Sequence, residues 1–188
     1  MRALYRQGYS ERFKEIAKLI EPKSSVLDVC CGPGILYRHY LSKSDVSYTG
    51  LDLNPTFISR VRSYGVVGMV TDIRNLDSFP SVDFVIMQSS LYHFLPDPVP
   101  VLTKMFEAAK KALIIAEPIS NITSINFLPL KNLAARLSDP GTGSQGLRFT
   151  ESALDALLTG MFPGPIRSFR IGGGREKIYV FSRRESEM

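Results

Sequence analysis

The chain is poor in cysteine: its 188 residues include two, Cys30 and Cys31, and these are adjacent. Neighbours in sequence cannot staple distant parts of a fold. With no third cysteine there is no disulfide framework and no cysteine-based zinc site, and no metal centre is expected. No apolar run approaches the about 18 residues that crossing a bilayer takes, so membrane insertion is not expected. The opening "MRALYRQGYSERFKEIAKLI" is too charged to hold the apolar core of a secretory signal. Internal repeats and low-complexity tracts are also missing. The expected setting is cytoplasmic. The basic excess is slight, a net charge of +5 with a pI near 9.3. It is spread over scattered C-terminal arginines (Arg167, Arg170, Arg175, Arg183, Arg184) rather than a dense patch with interleaved aromatics, which argues against a nucleic-acid partner.

What is present is ordinary globular composition, 44% hydrophobic and 22% charged, at a length that suits one domain over residues 1–188. "SERFKEIAKLIEP" reads as a helix with Ser10 as N-cap; Phe13, Ile16, Ala17 and Ile20 share one face, and Pro22 stops it. Strand-like runs follow at "SSVLDVC", "VSYTGLDL", "VVGMVT", "VDFVIMQSS" and "ALIIAEP". Between them lie helices through "ILYRHYLSK", "NPTFISRVRSYG" (capped by Asn54, with Pro55 first) and "VLTKMFEAAKKA", opened by Asp97 and Pro98; "DIRNLDSFPS" is polar and turn-rich. Apolar rather than alternating strands, separated by helices, point to a parallel sheet covered on both faces. Residues 119–149 break the pattern, and a connection that long inside a compact domain is expected to be a substrate lid. "TESALDALLTG", capped by Thr150, restores a helix. "IRSFRIGGGREKIYVFSRR" closes the chain as an antiparallel hairpin at a sheet edge.

In open parallel sheets, ligands sit outside the carboxyl ends of the strands near the first one. "VLDVCCGPGIL", residues 26–36, occupies that position. A dinucleotide fingerprint would need a third glycine where Tyr37 stands, and Asp28 would be an odd neighbour for a pyrophosphate. A ligand with a cationic ammonium and no phosphate meets neither objection. Here the sequence resembles the class I S-adenosylmethionine-dependent methyltransferases of the type 11-like, small-molecule kind, whose first motif runs acidic-x-Gly-x-Gly-x-Gly. "DVCCGPG" matches it at Asp28, Gly32 and Gly34 and departs at Cys30, which takes the place of the first glycine. The resemblance implies a Rossmann-like, doubly wound, mostly parallel seven-stranded α/β sheet in three layers. Residues 1–24 would form an N-terminal helical cap.

It further implies S-adenosyl-L-methionine as cofactor, released as S-adenosyl-L-homocysteine, with Asp28, Cys30, Gly32 and Gly34 around its methionine end. The cysteines would be small, soft wall residues beside the sulfonium. Asp52 stands where an acid accepts both ribose hydroxyls, or else charges a helix N-terminus. Asp72 stands where an acid accepts the adenine amine, or else forms a turn. Ile73 would supply a backbone N–H to the ring, Leu53 an apolar wall, and Gln88 a contact to the methionine portion. His93 in "SSLYHF" is the expected catalytic base or substrate contact, against a packing role, with Tyr92 beside it to orient a substrate hydroxyl or shield the pocket. Glu117 reaches the same rim, as a rim acid or as a helix-dipole partner. His39 is expected at the surface.

"QSSLYH" lacks the Asn/Asp/Ser-Pro-Pro-aromatic motif that holds a flipped base, and the paired glutamates of arginine methyltransferases are missing. Both absences favour a small, partly hydrophobic acceptor, lodged against apolar residues of the lid such as Ile122, Phe127 and Leu130. An RNA or protein methyltransferase, a Rossmann-type oxidoreductase and a non-catalytic cofactor binder stay open, as do a monomer and a homodimer.

Overall fold

The computed structural model describes residues 2–120, 149–162 and 166–183 of the chain. Its strands are β1 (Ser25–Val29), β2 (Ser47–Asp52), β3 (Val67–Val70), β4 (Val82–Gln88), β5 (Ala109–Ser120), β6 (Phe149–Thr150), β7 (Ile166–Ile171) and β8 (Glu176–Ser182). The helices are α1 (Arg2–Ala17), α2 (Pro55–Arg62), α3 (Val99–Ala108) and α4 (Glu151–Met161).

The sheet runs β3-β2-β1-β4-β5-β8-β7, parallel from β3 to β5 and antiparallel at β8 and β7. The chain lays β2 and β3 on one side of β1 and then returns to lay β4 on the other. That reversal leaves a crevice at the carboxyl ends of β1 and β4.

Alternating side chains of the central strands feed two separate cores. Leu27, Val29, Val85, Met87, Leu113 and Ile115 pack with Leu102 and Met105 of α3 and Leu154 and Leu158 of α4. Val26, Phe84, Ile86 and Ile114 pack with Phe13 and Ile16 of α1 and Val61 of α2. Burial on both faces is why these strands read as continuous apolar runs. Among the described residues no helix is long and apolar enough to cross a membrane.

Local details correct the reading of the sequence at three points. The sheet has eight strands rather than seven, because Ile119 and Ser120 pair in parallel with the two-residue β6. Ser10 is not a cap: α1 begins at Arg2, since "RALYRQ" is built largely of good helix formers and nothing stops the helix from extending upstream. It also ends at Ala17, before Pro22. The segment after β1 winds as a π-helical turn over Tyr37–Leu41, with the Ser42 N–H donating to Tyr37 O at 2.9 Å. The caps of α2 and α4 are as expected. Asn54 Oδ1 accepts from Thr56 N at 2.9 Å, and Thr150 Oγ1 accepts from Ala153 N at 3.2 Å. Of the expected lid, residues 121–148 lie outside the described residues.

One close approach fixes the loop after β1 against β2. A Cβ built on Gly50 would lie 2.7 Å from Cys31 Sγ and 3.3 Å from the Tyr48 ring. The Cys31 thiol therefore needs a glycine beneath it. Gly50→Ala is expected to destabilise the fold by about 1–3 kcal/mol through overpacking. Adding Cys31→Ala should recover most of that loss in urea unfolding. A Gly50→Ala chain as stable as the parent would contradict the packing.

Candidate functional site

A cavity of about 510 Å³ opens at the crevice. Of the residues expected from sequence, Cys30, Gly32, Asp52, Leu53, Asp72, Ile73 and His93 line it. Phe57, Thr71, Arg74, Ser90 and Phe94 line it as well, and sequence reasoning missed them. The apolar Phe57 in an N-terminal helical turn was a legible signal, because it lies one turn beyond Leu53. Asp28, Gly34, Gln88 and Tyr92 do not line the cavity.

Asp52 ends β2 and ties three elements together. Its Oδ2 accepts the Gly32 N–H at 2.9 Å and its Oδ1 accepts the Asn54 N–H at 2.8 Å. Each carboxylate oxygen has a second lone pair, so the group can still accept two hydroxyls. Beside it Leu53 is 63% exposed, an apolar side chain at a cavity rim, with Ile73 buried within the same wall.

Asp72 is taken up by its own neighbour. Arg74 Nε donates to Oδ1 at 2.9 Å and Arg74 Nη2 to Oδ2 at 2.8 Å, while the Arg74 N–H caps onto Oδ1 at 3.1 Å. This pairing holds the Asp72 carboxyl below its ordinary value. The turn-forming role weighed for Asp72 is therefore present, and Asp72 and Arg74 line the cavity as a pair.

The loop after β1 shows why small residues stand there. Gly32 has φ +56, and a Cβ on it would meet nothing within 4 Å. That open side leaves the backbone approachable from the cavity. Cys30 has φ +59, the left-handed conformation a glycine adopts freely and an L-residue adopts at a cost of roughly 1–2 kcal/mol. The substitution at the motif's first glycine therefore keeps the glycine's backbone shape. Burial pushes the Cys30 thiol up to about 12, with Asp52 and Asp28 adding to the shift, so the thiol is a wall atom and not a nucleophile.

Beneath the loop lies a buried polar layer. Asp28 is fully buried; Tyr48 donates its hydroxyl to Oδ2 at 2.8 Å, and Gln88 Nε2 stands 3.5 Å from both carboxylate oxygens. Desolvation raises the Asp28 carboxyl from 3.8 to about 7 against the opposing pull of those two donors. Gln88 Oε1 is buried with no hydrogen-bond partner among the described residues.

The loop leaving β4 carries Ser90 and His93. Ser89 there is also left-handed, at φ +49. Its N–H donates to Ala116 O at 2.7 Å, and its hydroxyl accepts from Arg12 Nη1. The Glu117 carboxylate, fully buried, accepts the Ser90 and Leu91 N–H groups, each at 2.6 Å. Arg12, nearly buried on α1, also pairs with Glu176 at 2.9 Å. Nothing in "SERFKE" distinguishes Arg12 from the charges around it, so sequence reasoning missed it. Tyr92 packs partly buried against the core, with its ring centroid 4.1 Å from that of His93.

The buried layer has a signed pH dependence. Folded Asp28 holds its proton up to about pH 7, whereas its ordinary value is 3.8. Between those limits the folded chain binds one more proton than the unfolded one, so stability falls as pH rises through this window and is level above it. Tyr48→Phe removes a bond to the ionised carboxylate. It should cost about 1.5–3 kcal/mol at pH 8, where Asp28 is charged, and less at pH 5, where it is neutral. Urea unfolding at the two pH values decides this; equal losses would mean that Asp28 does not titrate between them.

Residues 26–112 match the family model described as a methyltransferase domain. Several solved structures share the fold. The magnesium protoporphyrin IX methyltransferase of Synechocystis PCC 6803, solved with bound S-adenosylhomocysteine, superposes with a TM-score of 0.69 at 16% identity, over 94% of this chain and 84% of that one. A methyltransferase of Thermotoga maritima, described as a possible histamine N-methyltransferase, gives 0.68 at 15% identity, over 97% and 92%. A methyltransferase of Aquifex aeolicus gives 0.61 at 19% identity, over 89% and 88%. No curated protein matches the chain in sequence. At these identities the structural likeness is one of fold, and the sequence match independently covers the strands that build the crevice. Residues 26–112 are similar to a methyltransferase domain, and the chain shares its fold with solved S-adenosylmethionine-dependent methyltransferases.

Proposed function

We propose that the chain binds S-adenosylmethionine in the crevice and directs its methyl group to a small, partly hydrophobic acceptor. One observation carries this reading: a single cavity brings together Asp52, Asp72, the open face of Gly32 and the apolar side chains of Leu53 and Ile73. Two features fit the cofactor. Gly32 leaves a cradle that any side chain would fill, and the buried Gln88 Oε1 awaits a donor, as an amino-acid ammonium is.

In this reading Asp52 accepts the ribose hydroxyls, Asp72 the adenine amine alongside Arg74, and the Ile73 N–H meets the ring over Leu53. Asp28 and Gln88 face the methionine end from below the loop, where Cys30 and Gly34 shape the backbone. Bound there, the cofactor supplies an electrophilic methyl on a sulfonium, and the transfer is an in-line displacement. The chain's task is alignment, which can contribute roughly 7–11 kcal/mol. His93, on the cavity wall with Ser90, accepts the proton of an acceptor that carries one at neutral pH, and Tyr92 backs the imidazole. The similar proteins from Synechocystis and Thermotoga are described as a magnesium protoporphyrin IX methyltransferase and a possible histamine N-methyltransferase, which supports a small acceptor here. The reading places the enzyme in the cytoplasm, as a monomer or homodimer, with the N-terminal helix as a cap.

Calorimetry with S-adenosylhomocysteine and with NAD tests the cofactor; binding of NAD alone would overturn the reading. Transfer of labelled methyl to the small-molecule fraction of an extract is expected, and label confined to RNA or protein would overturn the acceptor class. Asp52→Ala should weaken S-adenosylhomocysteine binding by roughly 1–3 kcal/mol. His93→Ala should lower turnover and leave that affinity nearly intact; a lost affinity would make His93 structural.

A further inference from the structure

The loop between β4 and α3 supplies Ser90 and His93 to the cavity wall, yet its backbone is not one the chain holds by itself. Ser89 is left-handed without being glycine, and Ser90 follows at φ −136, ψ −13. Such a conformation persists only where surroundings over-determine it. The strongest of those surroundings is Glu117, in β5. One oxygen of its fully buried carboxylate gathers two successive N–H groups, Ser90 and Leu91, at 2.6 Å each. Hydrogen bonds to an ionised acceptor in a dry interior are stronger than neutral ones. The Ser90 carbonyl then accepts the His93 N–H at 3.1 Å, which seats the short helical turn Leu91–Phe94 on the clamped segment. Glu117 itself does not line the cavity.

We propose that Glu117 is a positioning residue: through the amides of Ser90 and Leu91 it sets where His93 and Ser90 stand relative to the bound cofactor. The proposal rests on the cofactor reading given above. Arg12 adds a second hold from α1, through the Ser89 hydroxyl. Lengthening, shortening or neutralising the clamp therefore moves His93 without removing any atom of the cavity wall.

Nuclear magnetic resonance on the full chain tests this, with S-adenosylhomocysteine as the probe. In the parent chain the Ser90 and Leu91 amide protons should exchange with solvent more slowly than the amides of exposed loops. Glu117→Gln keeps the shape and removes the charge, and should speed exchange of both amides about tenfold. The change that S-adenosylhomocysteine causes in the His93 ring signals should differ from the parent's, while the compound still binds. Glu117→Asp keeps the charge but retracts it, and should give the same displaced His93 response. A rescue by Glu117→Asp would mean that charge alone matters and would overturn the positioning role. So would a His93 response unchanged in Glu117→Gln. Should neither variant fold, the parent decides: Ser90 and Leu91 amides exchanging as fast as open loops overturn the clamp. If the parent does not bind S-adenosylhomocysteine, the cofactor reading fails by itself, while the exchange rates still judge the clamp.

Discussion

The crevice is built on one carboxylate. Asp52 receives the Gly32 amide on one oxygen and the Asn54 amide on the other, at 2.9 and 2.8 Å. Those two bonds fix the loop after β1, the end of β2 and the entrance to α2 in a single arrangement. Asn54 can cap α2 because its own amide is held, and Gly32 presents an open backbone because its amide is turned away to Asp52. Hydrogen bonds to a charged acceptor contribute roughly 1.5–3 kcal/mol each, enough to hold short segments that bury little apolar surface. A residue that looks at first like a ligand contact is thus also what makes the contact surface.

The same end of the sheet concentrates the buried charged and ionisable groups of this fold. Cys30 and Ser89 are both left-handed without being glycine, and they directly follow the two strands between which the sheet order reverses. Asp28, Glu117 and Arg12 are charged or ionisable groups buried close by. Buried charge is tolerated where it is hydrogen-bonded, and each of these has named partners: Tyr48 for Asp28, two amides for Glu117, Ser89 and Glu176 for Arg12. At the opposite end of the strands the turns hold no comparable buried charge among the described residues. Left-handed residues also occur at that opposite end, Lys23 and Asp45, so it is the buried polarity that marks the place where the fold gives up stability for shape.

Much of this was legible because strands and helices announce themselves locally. Apolar runs such as "VLDV" and "FVIM" are buried on both faces, and their order with the intervening helices carries the parallel topology. Asn54 and Thr150 cap as their chemistry requires. What escaped was set by partners distant in sequence. Ser10 looks like a cap, yet an equally helical stretch precedes it. The pairing of Ile119 with Phe149 joins residues on either side of a long connection, and two residues leave no strand signature. Arg12 reaches Ser89 and Glu176, 77 and 164 positions away, a meeting that helical periodicity cannot announce. At the site the acids were found, but which of them face the cavity was not readable.

That last distinction bears most on mechanism. Asp28, Asp52, Asp72 and Glu117 all stand at or near the carboxyl ends of neighbouring strands, and in sequence they look alike. Folding sorts them into two layers. Asp52 and Asp72 line the cavity; Asp52, bonded once on each oxygen by backbone, keeps lone pairs for a ligand, and Asp72 stands there paired with Arg74. Asp28 and Glu117 are fully buried and do not line the cavity: Asp28 is held by Tyr48 and Gln88, and Glu117 holds the Ser90 and Leu91 amides. The two layers answer to different physics. A cavity acid is screened by solvent and exchanges partners readily, so it suits reversible contact with a nucleoside. A buried acid binds its donors in a medium that magnifies each bond, so it suits holding a loop still, as Glu117 holds Ser90 and Leu91. In the proposed function, alignment in the crevice depends on both layers together, the outer one to receive and the inner one to keep the receiving surface in place.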